Sequence, residues 1–184
     1  MTLSFNSAAG AIEYLSSEIK NVGKERFDSF YLQNASFVLS RDSSFDGMDL
    51  SKEAKADFEW SWAASCGIRE LAPLESYYRK RFGDGVRPYG DAWDIPSLLV
   101  KIEDPVQRRR AILYNGQDAC LSSFQFWVTD KDLDVTVNMR SSDVGEMLPL
   151  DIQYTRFLQE RLCAILEFTP GTSYYNIANA HILK

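Results

Sequence analysis

The residues able to do chemistry in this chain concentrate between Arg108 and Asp151. Cys120 stands in GQDACLSSFQFWV, after a polar turn and directly before a strand-like run. A cysteine so placed serves either as a small packing residue or as a nucleophile. The nucleophilic role needs a positive neighbourhood, because the thiolate is the reactive species and nearby cations favour it. Arg140 directly follows the run LDVTVNM, which is expected to pair with the strand after Cys120, so the two should be close. The turn that follows, RSSDVGEMLPLDI, adds Ser141, Asp143 and Asp151. Basic runs stand at Arg108, Arg109 and Arg110 and at Arg79, Lys80 and Arg81. Each is read either as a solvated face or as part of a site for a small anion such as phosphate. The residues alone thus suggest a cysteine, an arginine cluster and carboxylates, and name no substrate.

Composition narrows the classes. A chain of 184 residues, 45% apolar and 25% charged, is expected to form one domain, residues 1–184, with a substantial core. Its three cysteines, Cys66, Cys120 and Cys163, cannot all pair and have no metal-type spacing, which suggests a reducing cytoplasm. His181 is the only histidine, so zinc sites and Cys–His pairs are difficult to build and no metal is expected. A net charge of −6 argues against a general nucleic-acid binder. No apolar run reaches the roughly 18 residues of a transmembrane helix, and the N-terminus lacks the pattern of a signal peptide. Neither nucleic acid nor membrane is therefore expected as a partner.

The positioning elements follow from periodicity. A first helix is expected from about Ser7 to Asn21, with Ile12, Leu15 and Ile19 on one face, and residues 28–39 read as a strand. Ser51 is a candidate cap for a helix to about Leu71, and SLLVKIED is a short helix ending at Asp104-Pro105. Strands are expected at 110–114, 124–128 and 133–139, the last two joined by a turn around Asp130-Lys131. A helix over 151–167 would offer Ile152, Phe157, Leu158, Leu162 and Ile165 to the core, and SYYNIANAHIL reads as a final strand. The pattern gives an α+β protein, its helices covering a mixed or largely antiparallel sheet.

Five segments, in order, resemble the thymidylate synthase superfamily. PYGDAW (88–93) is similar to its Tyr-Gly segment, DPVQRRR to its Asp-Pro-x-x-Arg-Arg, and ACLSSFQFWV to its cysteine segment. RSSDVGEMLPLDI resembles its Arg-Ser-x-Asp motif and NAHIL the histidine motif of its C-terminal part, whereas the first 50 residues match poorly. The resemblance implies that fold, a homodimer formed through the sheet, and 5,10-methylenetetrahydrofolate as cofactor. It implies Cys120 as the nucleophile that adds to C6 of a pyrimidine nucleoside monophosphate. Arg140 and Ser141 would hold the phosphate, with Arg108 and Arg109 reaching across to the partner's nucleotide. Asp143 would touch the folate, His181 the sugar, and Tyr89 a catalytic water network. Asp57, or Glu59 by a two-residue shift, would be the catalytic carboxylate that orients a water or moves protons.

The departures carry the specificity. Asp151 stands where the family reads its base with asparagine. An amide both donates to O4 and accepts from N3–H of uracil, whereas a carboxylate only accepts. Cytosine presents an amino donor at C4, which a carboxylate can receive. Aspartate at this place is the mark of the cytidylate 5-hydroxymethylases within the superfamily. The other reading of Asp151 is a helix N-cap before IQYTRFLQ. Leu121, Met147 and Leu183 replace the family's histidine, glycine and tyrosine. The sequence stops at Lys184, shortly after His181, so a tail closing over the folate is not expected, which favours addition of water over hydride transfer. The resulting expectation is folate-dependent 5-hydroxymethylation of dCMP, or CMP, through Cys120 addition at C6 and water addition to a C5 methylene. The alternatives are a dUMP methylase or hydroxymethylase and a non-catalytic pyrimidine-nucleotide binder.

Overall fold

The computed structural model describes residues 2–48, 50–68, 76–82, 93–115 and 119–184. Its frame is an eight-stranded mixed sheet with helices packed on one face. The chain opens with β1 (Leu3–Ser7), α1 (Ala8–Val22), β2 (Lys24–Arg26) and β3 (Ser29–Ser44). It continues through α2 (Lys52–Ser65), α3 (Tyr77–Phe82), α4 (Ile95–Glu103) and a 3₁₀ turn at Arg108–Arg110. The second half comprises β4 (Ile112–Tyr114), β5 (Leu121–Thr129), β6 (Asp132–Met139), β7 (Ser142–Asp143), α5 (Met147–Leu166) and β8 (Thr169–Leu183). The strand order is β1-β3-β8-β6-β5-β4, with β2 added on β3 and β7 on β8. β8 runs antiparallel to β3 and parallel to β6, and so joins the two halves.

Local chemistry sets the boundaries. Ser7 and Ser51 accept from the backbone N–H groups of Gly10 and Ala54, capping α1 and α2 as N-cap residues do. Asp94 caps α4 one turn before its expected start, and Pro96 fits the first turn, where its missing N–H costs nothing. The β5–β6 hairpin turns at Asp130, whose φ of 56° lies in the left-handed region that aspartate tolerates. α2 ends at Ser65, short of the expected Leu71, with Cys66 closing its last turn. The strand expected from Arg110 begins at Ile112, because Arg108–Arg110 are wound into the 3₁₀ turn.

α5 departs most from expectation. It begins at Met147 and takes Pro149 into its first turn, where proline is compatible with a helix. Its N-cap position is Glu146, so Asp151 lies inside the helix and the N-cap reading of Asp151 is corrected. The buried face carries Leu148, Ile152, Leu158 and Leu162 as well as the polar Asp151, Thr155 and Gln159. Gln159 Nε2 donates to Leu133 O at 2.9 Å, and Ser173 Oγ donates to Gln159 Oε1 at 3.0 Å. These bonds satisfy groups whose burial would otherwise be costly. Ile165, expected in the core, is exposed.

The core lies between this helical layer and one face of the sheet, built from Phe37, Leu39, Phe124, Phe126, Leu133, Val135, Val137, Tyr175 and Ile177. Phe37 and Tyr175 stack across β3 and β8 with ring centroids 4.6 Å apart. The opposite face carries Trp127, Thr136, Asn138, Tyr174 and Asn176. There Asn176 Nδ2 donates to Asn138 Oδ1 at 3.1 Å. Among the described residues no helix is long and apolar enough to cross a membrane.

Candidate active site

The start of β5 and the end of β6 meet at one end of the sheet, and this places Cys120 against Arg140. The Arg140 backbone N–H donates to Cys120 O at 2.7 Å, extending the hairpin ladder beyond the Leu121–Met139 pair. Cys120 Sγ lies 3.2 Å from Ser141 Oγ, within hydrogen-bond reach for a sulfur partner. The guanidinium Nη2 of Arg140 lies 4.0 Å from the same sulfur. Cys120 and Arg140 are exposed and Ser141 is half-buried, so the cluster faces solvent. It offers a thiol, a hydroxyl and a cation to one incoming ligand.

The chain then leaves β6 and rejoins the sheet as β7, alongside β8. Ser142 is the register partner of Ala180, and Asp143 that of His181. The Val144 N–H donates to His181 O at 2.8 Å, tightening this contact. Asp143 is buried, and its Oδ1 accepts from the N–H groups of Gly145 at 2.9 Å and Glu146 at 3.3 Å. His181 is half-buried and faces Tyr31 of β3 in register on its other side. Asp151, inside α5, is only 6% exposed and accepts from Ser142 Oγ at 3.1 Å. One short segment, 140–151, therefore carries groups directed at the thiol, at β8 and at the base of α5.

The remaining candidates divide. Asp57 is fully buried on α2, on the face that also carries Phe58 and Ser61. Phe58 packs edge-on against Tyr154 of α5, and Ser61 Oγ lies 2.9 Å from the Tyr154 hydroxyl. Glu59 lies on the solvent side of the same helix and is ion-paired with Arg161. Arg108 is half-buried and its Nε donates to Ile102 O at 2.8 Å, while Arg109 is exposed. Both arginines precede β4, opposite the Phe126 end of β5, where the Phe126 N–H donates to Ala111 O. Along β5 that is about 20 Å from Cys120 in the same chain, at roughly 3.4 Å per residue. Tyr89 lies outside the described residues, whereas Trp93 of the same segment is buried against Phe124. Nothing in the sequence marks Ser142, which touches Asp151, because β7 is too short to give an alternating pattern.

The three thiols differ enough to be told apart chemically. Cys163 is buried, and burial pushes its thiol up to about 12; burial also pushes Cys66 up. Iodoacetamide at neutral pH should accordingly modify Cys120 first, one adduct per chain, with Cys163 reacting only on unfolding. Intact-mass measurement with peptide mapping reads this directly, and first labelling at Cys163 would contradict the packing described. Among the described residues no group of His, Cys, Asp and Glu side chains is arranged to hold a metal ion.

Comparison with known proteins bears on the same segments. None of the curated proteins searched matches the chain. A family model described as Thymidylate synthase matches residues 59–184, a span that includes Cys120, Arg140, Asp151 and His181. With that match laid over a mixed, helix-covered sheet, the chain belongs to the thymidylate synthase family, folate-dependent enzymes that transfer one-carbon units to pyrimidine nucleotides.

Proposed function

We propose that this chain is a cytidylate 5-hydroxymethyltransferase acting on dCMP, or CMP, with 5,10-methylenetetrahydrofolate as the one-carbon donor. The observation that carries the reading is Asp151. It is buried, lies within α5 and accepts from Ser142, so it is a placed carboxylate and does not cap the helix. Such a group matches the C4 amino donor of cytosine and opposes the O4 acceptor of uracil. A mismatch of this kind costs about 1–3 kcal/mol for each unsatisfied buried group.

The other roles follow from position. Cys120 Sγ attacks C6 of the base, which makes C5 a carbon nucleophile, and the thiol departs again when the product is released. Arg140 and Ser141 hold the phosphate beside it. His181 takes the sugar hydroxyl. Asp57 is preferred to Glu59 as the carboxylate that orients water, since Asp57 is buried and Glu59 is held outward by Arg161. Tyr89 completes the water network. Arg108 and Arg109, distant from Cys120 along β5, serve the nucleotide of a second copy across a homodimer interface. Trp127 and Tyr174 stand exposed together on the sheet face opposite the core, which supports that interface. The whole of residues 1–184 acts as one catalytic domain.

The folate is assigned to a cleft beside the Asp143 turn; Asp143 itself does not line it but accepts from the N–H groups of Gly145 and Glu146, which do. Gly145, Glu146, Pro149 and Leu150 line a cleft of about 720 Å³ together with Ile12 and Met48. That is the size and mixed character of sites that hold small aromatic ligands. Asp143 and this cleft would hold the cofactor, which supplies a one-carbon unit at the oxidation level of formaldehyde.

The test is release of tritium from C5 of dCMP, CMP, dUMP and UMP in the presence of tetrahydrofolate and formaldehyde, with product identification. Release from a cytidylate and formation of its 5-hydroxymethyl derivative is the expected result. Release from dUMP alone would overturn the assignment.

A further inference from the structure

A carboxylate reads a base only if its plane is fixed, and the Cβ–Cγ torsion of aspartate is intrinsically broad. Two hydrogen bonds among those that hold Asp151 bear on this. Ser142 Oγ donates to its Oδ2 at 3.1 Å, and Thr155 Oγ1 donates to its backbone carbonyl at 2.7 Å. The second bond fixes the peptide, and the first acts on the carboxylate torsion itself. Ser142 is well anchored. It is 3% exposed, and β7 ties it to Ala180 of β8, next to the Asp143–His181 pair. A hydroxyl on a two-residue strand that is bonded to the sheet makes a stiff support for a side chain on the helix above.

We propose that Ser142 is a positioning residue that sets nucleotide preference through Asp151. The inference rests on the base-reading role given to Asp151 above. With Oδ2 engaged by the hydroxyl, rotation of the carboxylate about its Cβ–Cγ bond is restrained. A loosely held carboxylate can admit a water that donates both to it and to O4 of uracil, which would blunt discrimination. A fixed one leaves less room for that compromise. Ser142 thus contributes selectivity without touching the nucleotide.

The test is equilibrium binding of dCMP and dUMP to the full chain without folate, by calorimetry. The proteins are the wild type, Ser142→Ala, Asp151→Asn and the double variant. Ser142→Ala should lower the ratio of dCMP to dUMP affinity by about tenfold, the loss of one hydrogen bond to a charged group. In the Asp151→Asn background the same change should not lower that ratio, because Ser142 then donates to the amide oxygen and orients a side chain that favours uracil. An unchanged ratio in Ser142→Ala, with Asp151→Asn still shifting preference, overturns the role of Ser142 alone. An equal effect in both backgrounds also overturns it, since the effect would then be general packing. If Asp151→Asn itself leaves the ratio unchanged, the base reading beneath it fails. Should Ser142→Ala not fold, Ser142→Cys keeps the volume with a weak donor and carries the same expectations.

Discussion

Replacing Cys120 by serine should lower turnover by about a thousandfold or more, because a serine hydroxyl at neutral pH is a far weaker nucleophile than a thiolate. Nucleotide binding should survive. Arg140 and Ser141 flank the sulfur without depending on it, and Arg140 remains tied to residue 120 through a backbone bond that serine also makes. The expected pattern is therefore a collapse of kcat with the affinity for dCMP retained within a few-fold, read by C5 tritium release and by calorimetry. Neither other thiol is a ready substitute. Cys163 is buried with its thiol pushed up to about 12, and Cys66 closes the last turn of α2 with its thiol also pushed up. Full turnover by Cys120→Ser would remove covalent attack from the reading altogether.

Asp151→Asn should move preference from cytidylate towards uridylate, changing the ratio of kcat/KM values by about a hundredfold or more. An amide at this place donates to O4 and accepts from N3–H, the pattern of uracil. The interior position of Asp151 in α5 makes the experiment clean. Since the residue is not the N-cap, the substitution does not remove a cap, whose loss would cost about 1 kcal/mol of stability. Ser142 can still donate to the amide oxygen, so the new side chain inherits a partner. Parallel thermal denaturation should show a similar midpoint for both proteins. An unchanged ratio on a folded protein would end the cytosine argument.

Much of the frame was legible in the sequence because its signals are local. Ser7 and Ser51 mark their helices by cap chemistry, and LDVTVNM alternates strictly over its whole length as β6. Pairing of β5 with β6 followed from a short connection, and with it the proximity of Cys120 to Arg140. The parts that were not legible depend on long-range contacts. Nothing in KER marks β2, and Ser142–Asp143 becomes a strand only because β8 offers it an edge. α5 begins at Met147, ahead of the expected 151, because Pro149 is accommodated in its first turn. Ile152, Leu158 and Leu162 of the inward side of α5 were legible by periodicity, whereas the buried stripe of Asp151, Thr155 and Gln159 reads as a polar face. Ser142 shared this difficulty, since its importance lies in a partner nine residues away on another element.

The placement of β8 has a consequence for how the molecule is made. Every strand it joins precedes it in the chain, so β3 with β1 and β2, and β6 with β5 and β4, emerge from the ribosome before it. Until β8 arrives these are two half-sheets, each with an open edge, and pairings across such sequence distances are slow to form. The same strand supplies the edge for β7 and carries His181, so before then Ser142 and Asp143 lack the strand they pair with. Synthesis thus delays assembly of the site until the sheet is joined, and a nascent chain exposes unpaired edges before it can bind a nucleotide.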